Sequence, residues 1–335
     1  MKRKNKTTLP EDSMKQIQKI FQERGAKALK AAEKAILAEK IESSEVNKAL
    51  SYFMKKYWLD TTRPALLSLF CEAVGGNPET TMPIAVSAIL TSGAVDIHDD
   101  IIDASKVKEA GTTVYGKFGQ DIALLAGDAL LFKGLTLLFQ AVDQGISVKK
   151  LLAILDVTKK TFFELGDAEA LELHFRKRMD ITPEEYLHVL EKKAMIVEGY
   201  ARIGVILGDG SKKELEDLGR YGKILGMLVM LRDDLIDIID VSETKHRVER
   251  ESLPLPIIYA LQRPKTKAVM LPFLQKRTIT KKEADLIAQS ARKAGGVKRC
   301  VELMQKLANE ACASLSRVKH NKEELELLVR ATVQL

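Results

Sequence analysis

Two short stretches of this 335-residue chain concentrate carboxylates: DIHDDIIDAS, Asp96–Ser105, and MLRDDLIDIID, Met230–Asp240. Both contain Asp-Asp-x-x-Asp, with Asp99, Asp100 and Asp103 in the first and Asp233, Asp234 and Asp237 in the second. Each follows an apolar run. Residues three and four apart share a helix face, so each triplet aims two or three carboxylates the same way. Asp96 lies on the same face as Asp99 and Asp100, one turn deeper. Crowded acids repel and call for a compensating cation. Two such helices facing each other would make a cage of hard oxygens, which suits Mg²⁺: it binds oxygens octahedrally, keeps waters, and joins a few carboxylates to substrate phosphates. Such an ion offsets the repulsion and turns a diphosphate into a good leaving group. An allylic diphosphate could then ionise into an apolar, water-poor space. The plainer reading of either motif alone is a solvated acidic helix face.

The elements that must position these acids are helical. Leu, Ala, Ile, Lys and Glu dominate, aromatics are 5%, and no period-2 strand pattern or internal repeat occurs. Apolar periodicity predicts helices over Glu11–Lys40, from Ser43 or Ser44 towards Val74, and over Thr80–Ser105, Asp121–Gln144, Lys149–Leu165, Pro183–Leu207 and Lys212–Asp240. Gly75-Gly76-Asn77-Pro78 and Gly295-Gly296 read as breaks, and Gly111–Gly119 and the charged stretch Thr244–Ser252 as loops. No composition shift marks a domain boundary. The expected architecture is all-α: one domain over residues 1–335, ten or more helices around a deep central cavity, with a basic and mobile N-terminal stretch at residues 1–10.

Bulk properties narrow the function. The net charge is +7, but the basic residues are dispersed and paired with acids, so nucleic acid is not expected as a partner. Cys71, Cys300 and Cys312 fit neither a zinc spacing nor a disulfide framework, which makes a cytoplasmic location the expectation. The N-terminus lacks a signal-peptide core, and no run reaches the ~18 apolar residues of a membrane span.

From Lys34 to Ala260 the chain resembles the trans-type polyprenyl diphosphate synthases. HDDIID and LRDDLID match the family's two aspartate-rich motifs, FGQDIALLAGDALL (Phe118–Leu131) resembles the segment after the first, and RPALLSLFCEAVGG (Arg63–Gly76) the end of its early GGKRxRP helix. EEYLHVLEKKA (Glu184–Ala194) resembles the helix carrying a diphosphate-binding lysine, here Lys193. The resemblance implies an all-α fold, a homodimer, about two or three Mg²⁺ ions, and condensation of an allylic prenyl diphosphate with isopentenyl diphosphate. Carried over by position, Asp99, Asp100, Asp103, Asp233, Asp234 and Asp237 form the metal-binding set. Lys193, Lys108, Arg250 and Arg63 become the diphosphate contacts. Product could partition to a membrane.

The departures fall mostly on the isopentenyl diphosphate side. At GGKRxRP the chain reads Trp58-Leu59-Asp60-Thr61-Thr62-Arg63-Pro64, so an aspartate replaces the lysine and only Arg63 remains. Ser92 stands where the family has a histidine, Lys108-Glu109 where it has two arginines, and Val229-Met230 where it has Phe-Gln. Lost charge-assisted phosphate contacts are worth roughly 1.5–3 kcal/mol each, so the acceptor side is expected to bind a second diphosphate poorly. Asp96 reads either as an acid paired with a basic neighbour or as a base or polar handle for another acceptor. In the family it resembles, bulky residues four and five positions before the first aspartate floor the cavity; here they are Val95 and Ala94, with Thr91 a turn deeper, which implies room for a prenyl tail of geranylgeranyl length or longer. His98 is expected to pack rather than to act as a base. Three functions follow: a polyprenyl or geranylgeranyl-type diphosphate synthase, a terpene synthase-like cyclase or transferase to another acceptor, and a non-catalytic subunit of a heteromer. The sequence leaves the acceptor, product length and stereochemistry open.

Overall fold

The computed structural model describes residues 10–108 and 110–334; most of the N-terminal stretch expected to be mobile, residues 1–9, and Glu109, expected to repel a second diphosphate, lie outside them. The chain is all-α as expected. Its helices are α1 (Pro10–Leu37), α2 (Ser44–Tyr52), α3 (Thr62–Ala73), α4 (Met82–Ile102), α5 (Val114–Phe118), α6 (Gln120–Gln140), α7 (Val148–Phe175) and α8 (Pro183–Lys193). They continue with α9 (Met195–Leu207), α10 (Lys212–Asp237), α11 (Val241–Arg250), α12 (Leu255–Leu261), α13 (Pro264–Leu274), α14 (Lys281–Lys293), α15 (Gly296–Ser314) and α16 (Lys322–Val333). Side chains in the sequence account for many of the starts. Ser43 caps α2, Ser147 caps α7, and Thr182–Glu185, Ser211–Glu214 and Thr280–Glu283 form capping boxes on α8, α10 and α14.

Five boundaries differ from expectation, the simplest being a break at Ala194 that divides the expected Pro183–Leu207 helix into α8 and α9. A π-turn over Phe53–Tyr57 and residues 58–61 split the expected Ser43–Val74 helix into α2 and α3. The supposed loop at Gly111–Gly119 holds a strand of two residues, Gly111–Thr112, antiparallel to Val107–Lys108, and then α5. Helix α7 runs ten residues past Leu165, to Phe175. The stretch read as a loop at Thr244–Ser252 is mostly α11. Asp240 caps it by accepting from the amides of Ser242 and Glu243, and Lys245–Glu249 pairs one turn apart at 2.6 Å. Only Thr244 and Val248 of α11 are buried, so it carries no apolar stripe to betray it.

Among the described residues two helices, Pro78–Ile102 and Gln120–Gln144, are long and apolar enough to cross a membrane by length and composition alone. The first is largely buried, as a core helix is. It packs on α6 at close range. An added Cβ at Gly134 would lie 2.6 Å from the Thr91 methyl, and Ser87 Oγ donates to the Gly134 carbonyl at 2.7 Å. Thr91 is therefore spent on α6, and Ala94 is fully buried. This corrects the expectation that both open room for a prenyl tail. The incompletely buried stripe of α4 is Ala88, Ser92, Val95, Asp96 and Asp99 instead. Helix α6 differs: Leu124, Leu125, Phe132 and Phe139 leave an apolar face exposed.

Candidate active site

Both aspartate motifs sit where their helices stop. Asp103 caps the C-terminus of α4, and α10 ends on Asp237. Successive helical residues point about 100° apart, so Asp99 and Asp100 cannot face the same way. Asp100 turns inward and is fully buried; Asp234, its counterpart in the second motif, is likewise buried. Asp99, Asp103 and Asp237 are half-buried and Asp233 is exposed.

Asp234 is engaged on all sides. Tyr186 OH donates to it, 2.9 Å from both carboxylate oxygens; Arg247 Nη2 lies 3.2 Å from Oδ1; and the Leu255 amide donates to Oδ2 at 2.9 Å. In these contacts Asp234, expected as a metal ligand, ties α8, α11 and α12 to the end of α10. Asp100 differs. Lys108 Nζ lies 2.7 Å from its Oδ1, but neither oxygen is in hydrogen-bonding geometry. The same ammonium reaches Asp99 Oδ2 at 3.3 Å, so Lys108 holds the first cluster from the short strand that follows it.

Two acids that the sequence reading missed complete the arrangement. Glu169 and Glu172, one turn apart on α7, clasp Lys193 Nζ, the first at 2.9 Å and the second closer still. One turn on, Arg176 reaches Asp103 at 2.5 Å. The i, i+3, i+7 spacing would have disclosed this face had α7 been read past Leu165. Ser252 Oγ donates to Glu172 at 2.5 Å, and Arg247 Nε donates to the Ser252 carbonyl at 3.0 Å. The two aspartate clusters are therefore joined through α7 and α11. Arg250, expected as a diphosphate contact, is exposed at the end of α11, and Arg247 takes the inward place.

Acids outnumber the cations Lys108, Arg176, Lys193 and Arg247 here, and the electrostatics record it. Burial first, then the charges of Asp99 and Glu251, push Asp103 up to about 7 against Arg176. Burial likewise lifts Asp100 and Asp237 to about 6 against Lys108 and Arg247. Against its burial, a hydrogen bond from His246 and the charge of Arg247 draw Glu251 down to about 2. Lys193 and Lys108 are both held well above the usual ammonium range, their acid partners outweighing desolvation.

A divalent ion fits this donor set: hard oxygens, a buried carboxylate lacking hydrogen-bond partners, and unbalanced negative charge. Among the described residues, no three such side chains converge tightly enough to hold an ion unaided. Sign and window follow from the raised values. Asp100, Asp103 and Asp237 bind protons more tightly folded than unfolded, so their destabilising effect is complete above about pH 7 and is relieved progressively as pH falls towards the ordinary value of 3.8. The rise in melting temperature caused by Mg²⁺ should be clearly larger at about pH 8 than at about pH 5.5. Thermal scans with EDTA and with Mg²⁺ at both values check this, and equal shifts would contradict it.

On the other side of α4 the surviving arginine is already engaged. Arg63 Nη1 donates to Asp60 Oδ2 at 2.6 Å, and its guanidinium stacks on Trp58 at 4.7 Å. Asp60 also accepts from the Thr62 amide at 2.9 Å, and Ser92 Oγ pairs with Tyr200 OH at 2.6 Å. Asp96 is half-buried among these groups, with Lys108 and Arg63 as its electrostatic partners, and burial raises its carboxyl. His98 packs over Gly127 beside Asp128, as expected of a packing group.

Residues 43–291 match the family model for polyprenyl synthetases. A geranylgeranyl diphosphate synthase of Methanosarcina mazei is 30% identical over 287 residues, 83% of each chain. A short chain isoprenyl diphosphate synthase of Methanothermobacter thermautotrophicus is 30% identical over 211 residues, 61% of this chain and 64% of the relative. The crystal structure of geranylgeranyl pyrophosphate synthetase from Pyrococcus horikoshii superposes with a TM-score of 0.82 at 24% identity, covering 95% of this chain and 99% of that one. A decaprenyl diphosphate synthase from Rhodobacter capsulatus also reaches 0.82, at 18% identity, covering 97% and 99%. At these identities the structural matches establish a shared fold.

Proposed function

Because the chain belongs to the polyprenyl synthetase family, we propose that it ionises an allylic prenyl diphosphate between its two aspartate clusters, as a polyprenyl or geranylgeranyl-type diphosphate synthase using Mg²⁺. Membership makes it an enzyme, a transferase of prenyl groups in isoprenoid biosynthesis. The observation that carries the reading is the acidic rim of Asp99, Asp103, Glu169, Glu172 and Asp237, joined across α7 and α11 and short of cations.

Mg²⁺ held by Asp99, Asp103 and Asp233 would neutralise the diphosphate as it leaves. The chain's own groups do the rest. Lys193, clasped by Glu169 and Glu172, is a fully charged ammonium facing the same rim, and on diphosphate binding it exchanges carboxylate for phosphate oxygens. Lys108 does the same from the α4 side. Val95, Ser92 and Ala88 behind Asp99, and Val229 and Ile236 beside Asp233, offer a largely apolar surface to the prenyl tail.

One observation favours a second reading of the acceptor. The Asp60–Arg63 pair leaves the acceptor side without an uncommitted guanidinium, so cyclisation or transfer to an acceptor lacking a diphosphate competes with chain elongation. The exposed apolar face of α6 supports association with a second subunit, which this reading takes to be another copy of the chain. A cytoplasmic location, with product partitioning to membranes, belongs to the same proposal.

The test is to incubate pure protein with Mg²⁺ and allylic diphosphates of graded length, with and without isopentenyl diphosphate, and identify the products. Elongated diphosphates formed only with both substrates support the synthase. Diphosphate released from the allylic substrate alone supports the second reading. No turnover until another protein is added overturns both in favour of the partner subunit.

A further inference from the structure

We propose that Arg247 is a resident counter-cation of the second aspartate cluster, occupying at Asp237 a position that would otherwise draw a divalent ion. Every nitrogen of its guanidinium is committed. Nη1 lies 3.3 Å from Asp237 Oδ2, Nη2 lies 3.2 Å from Asp234 Oδ1 and 3.3 Å from Tyr186 OH, and Nε donates to the Ser252 carbonyl at 3.0 Å, with Glu251 Oε2 3.5 Å away. The side chain is only 15% exposed, so these are largely desolvated charges and not a surface pair. A planar fork is suited to this position because it spans two carboxylates at once, as a point charge on a flexible stem does not.

The local fold explains how the arginine arrives there. Only residues 238–240 separate α10 from α11, and Asp240 caps the new helix. Arg247 stands in the last turn of α11, where the helix dipole also favours a cation. The end of α10 is thereby assembled with its charge partly balanced before any metal binds. Of the second motif, Asp234 accepts from Tyr186, Arg247 and the Leu255 amide, and Asp237 is paired with the arginine.

The consequence is a trade between arginine and metal, measurable without any prenyl substrate. It rests on the divalent-ion reading of the site but not on which diphosphate is used, so its failure is distinct from failure of the prenyl-transfer reading. The experiment titrates Mn²⁺ and Mg²⁺ alone into the full-length wild type, Arg247→Met and Arg247→Lys, counting bound Mn²⁺ by electron paramagnetic resonance and following melting temperature against Mg²⁺. Arg247→Met should melt lower than wild type in EDTA, regain much of the loss with Mg²⁺, and bind about one more Mn²⁺. Arg247→Lys reaches one carboxylate in place of two, so its Mg²⁺-induced rise in melting temperature should also exceed that of wild type. An unchanged Mn²⁺ count in Arg247→Met, with a Mg²⁺ response no greater than wild type, overturns the proposal. If Arg247→Met folds in neither condition, the Lys variant decides: a wild-type Mg²⁺ response there is the contrary result.

Discussion

Asp99→Asn and Asp233→Asn should each slow diphosphate release by about 10²–10³-fold while leaving the melting temperature nearly unchanged. The two halves of this expectation have separate causes. Each carboxylate is an oxygen donor placed where a departing diphosphate must be neutralised, and removing one preorganised group at a developing charge typically has an effect of that size. Stability is largely spared because ion pairs at exposed and half-buried positions contribute little, about 0–1 kcal/mol. Asp233 is exposed. Asp99 accepts only a 3.3 Å bond from Lys108, which retains Asp100 at 2.7 Å. Deleting one negative charge from a rim with excess acid also relieves repulsion on Asp103, whose carboxyl is raised partly by Asp99. Steady-state assays of diphosphate release beside thermal scans of the same preparations check both halves. A variant that keeps its rate removes that carboxylate from the chemistry.

Asp234→Ala should behave in the opposite way, losing about 3–5 kcal/mol of folding stability, because removing one partner strands the other buried charge. Arg247 would lose its Asp234 contact, and the Tyr186 hydroxyl and the Leu255 amide would lose their acceptor in a region closed to water. Asp234→Asn restores part of the hydrogen bonding at similar volume and should cost clearly less. Denaturant unfolding of the three proteins in EDTA measures this without reference to metal. An Asp234→Ala protein as stable as wild type, but inactive, would return Asp234 to the metal-binding set.

This contrast between neighbouring aspartates marks where sequence reasoning reached and where it stopped. The repeated Asp-Asp-x-x-Asp pattern at the ends of two apolar helices was legible, because α4 and α10 follow ordinary helical periodicity and stop close to where they were expected to. Which aspartates face outward needed one further step, since adjacent residues diverge by about 100°. In both motifs the middle acid turns into the protein. Glu169, Glu172 and Arg176 were hidden because the expected helix stops at Leu165, whereas α7 runs to Phe175. Arg247 was hidden because α11 is built on caps and ion pairs and not on an apolar stripe, and the family resemblance pointed to Arg250. The room assigned to Thr91 and Ala94 failed for a tertiary reason: the close approach at Gly134 turns that side of α4 onto α6. The replacement of a lysine by Asp60 was plain in the sequence. That Asp60 takes up Arg63, the remaining guanidinium, emerged only from the 2.6 Å contact between them.

All of this depends on acidic helix ends, joined across α7 and α11, together gripping the cations from which a diphosphate departs. Anomalous scattering from crystals grown with Mn²⁺ and an unreactive allylic thiolodiphosphate would show those cations in place. Mn²⁺ peaks are expected between the diphosphate and Asp99, Asp103 and Asp233, with Lys193 turned from Glu169 and Glu172 onto phosphate oxygens. Manganese found only at the protein surface, with the analogue bound away from both helix ends, would contradict that arrangement.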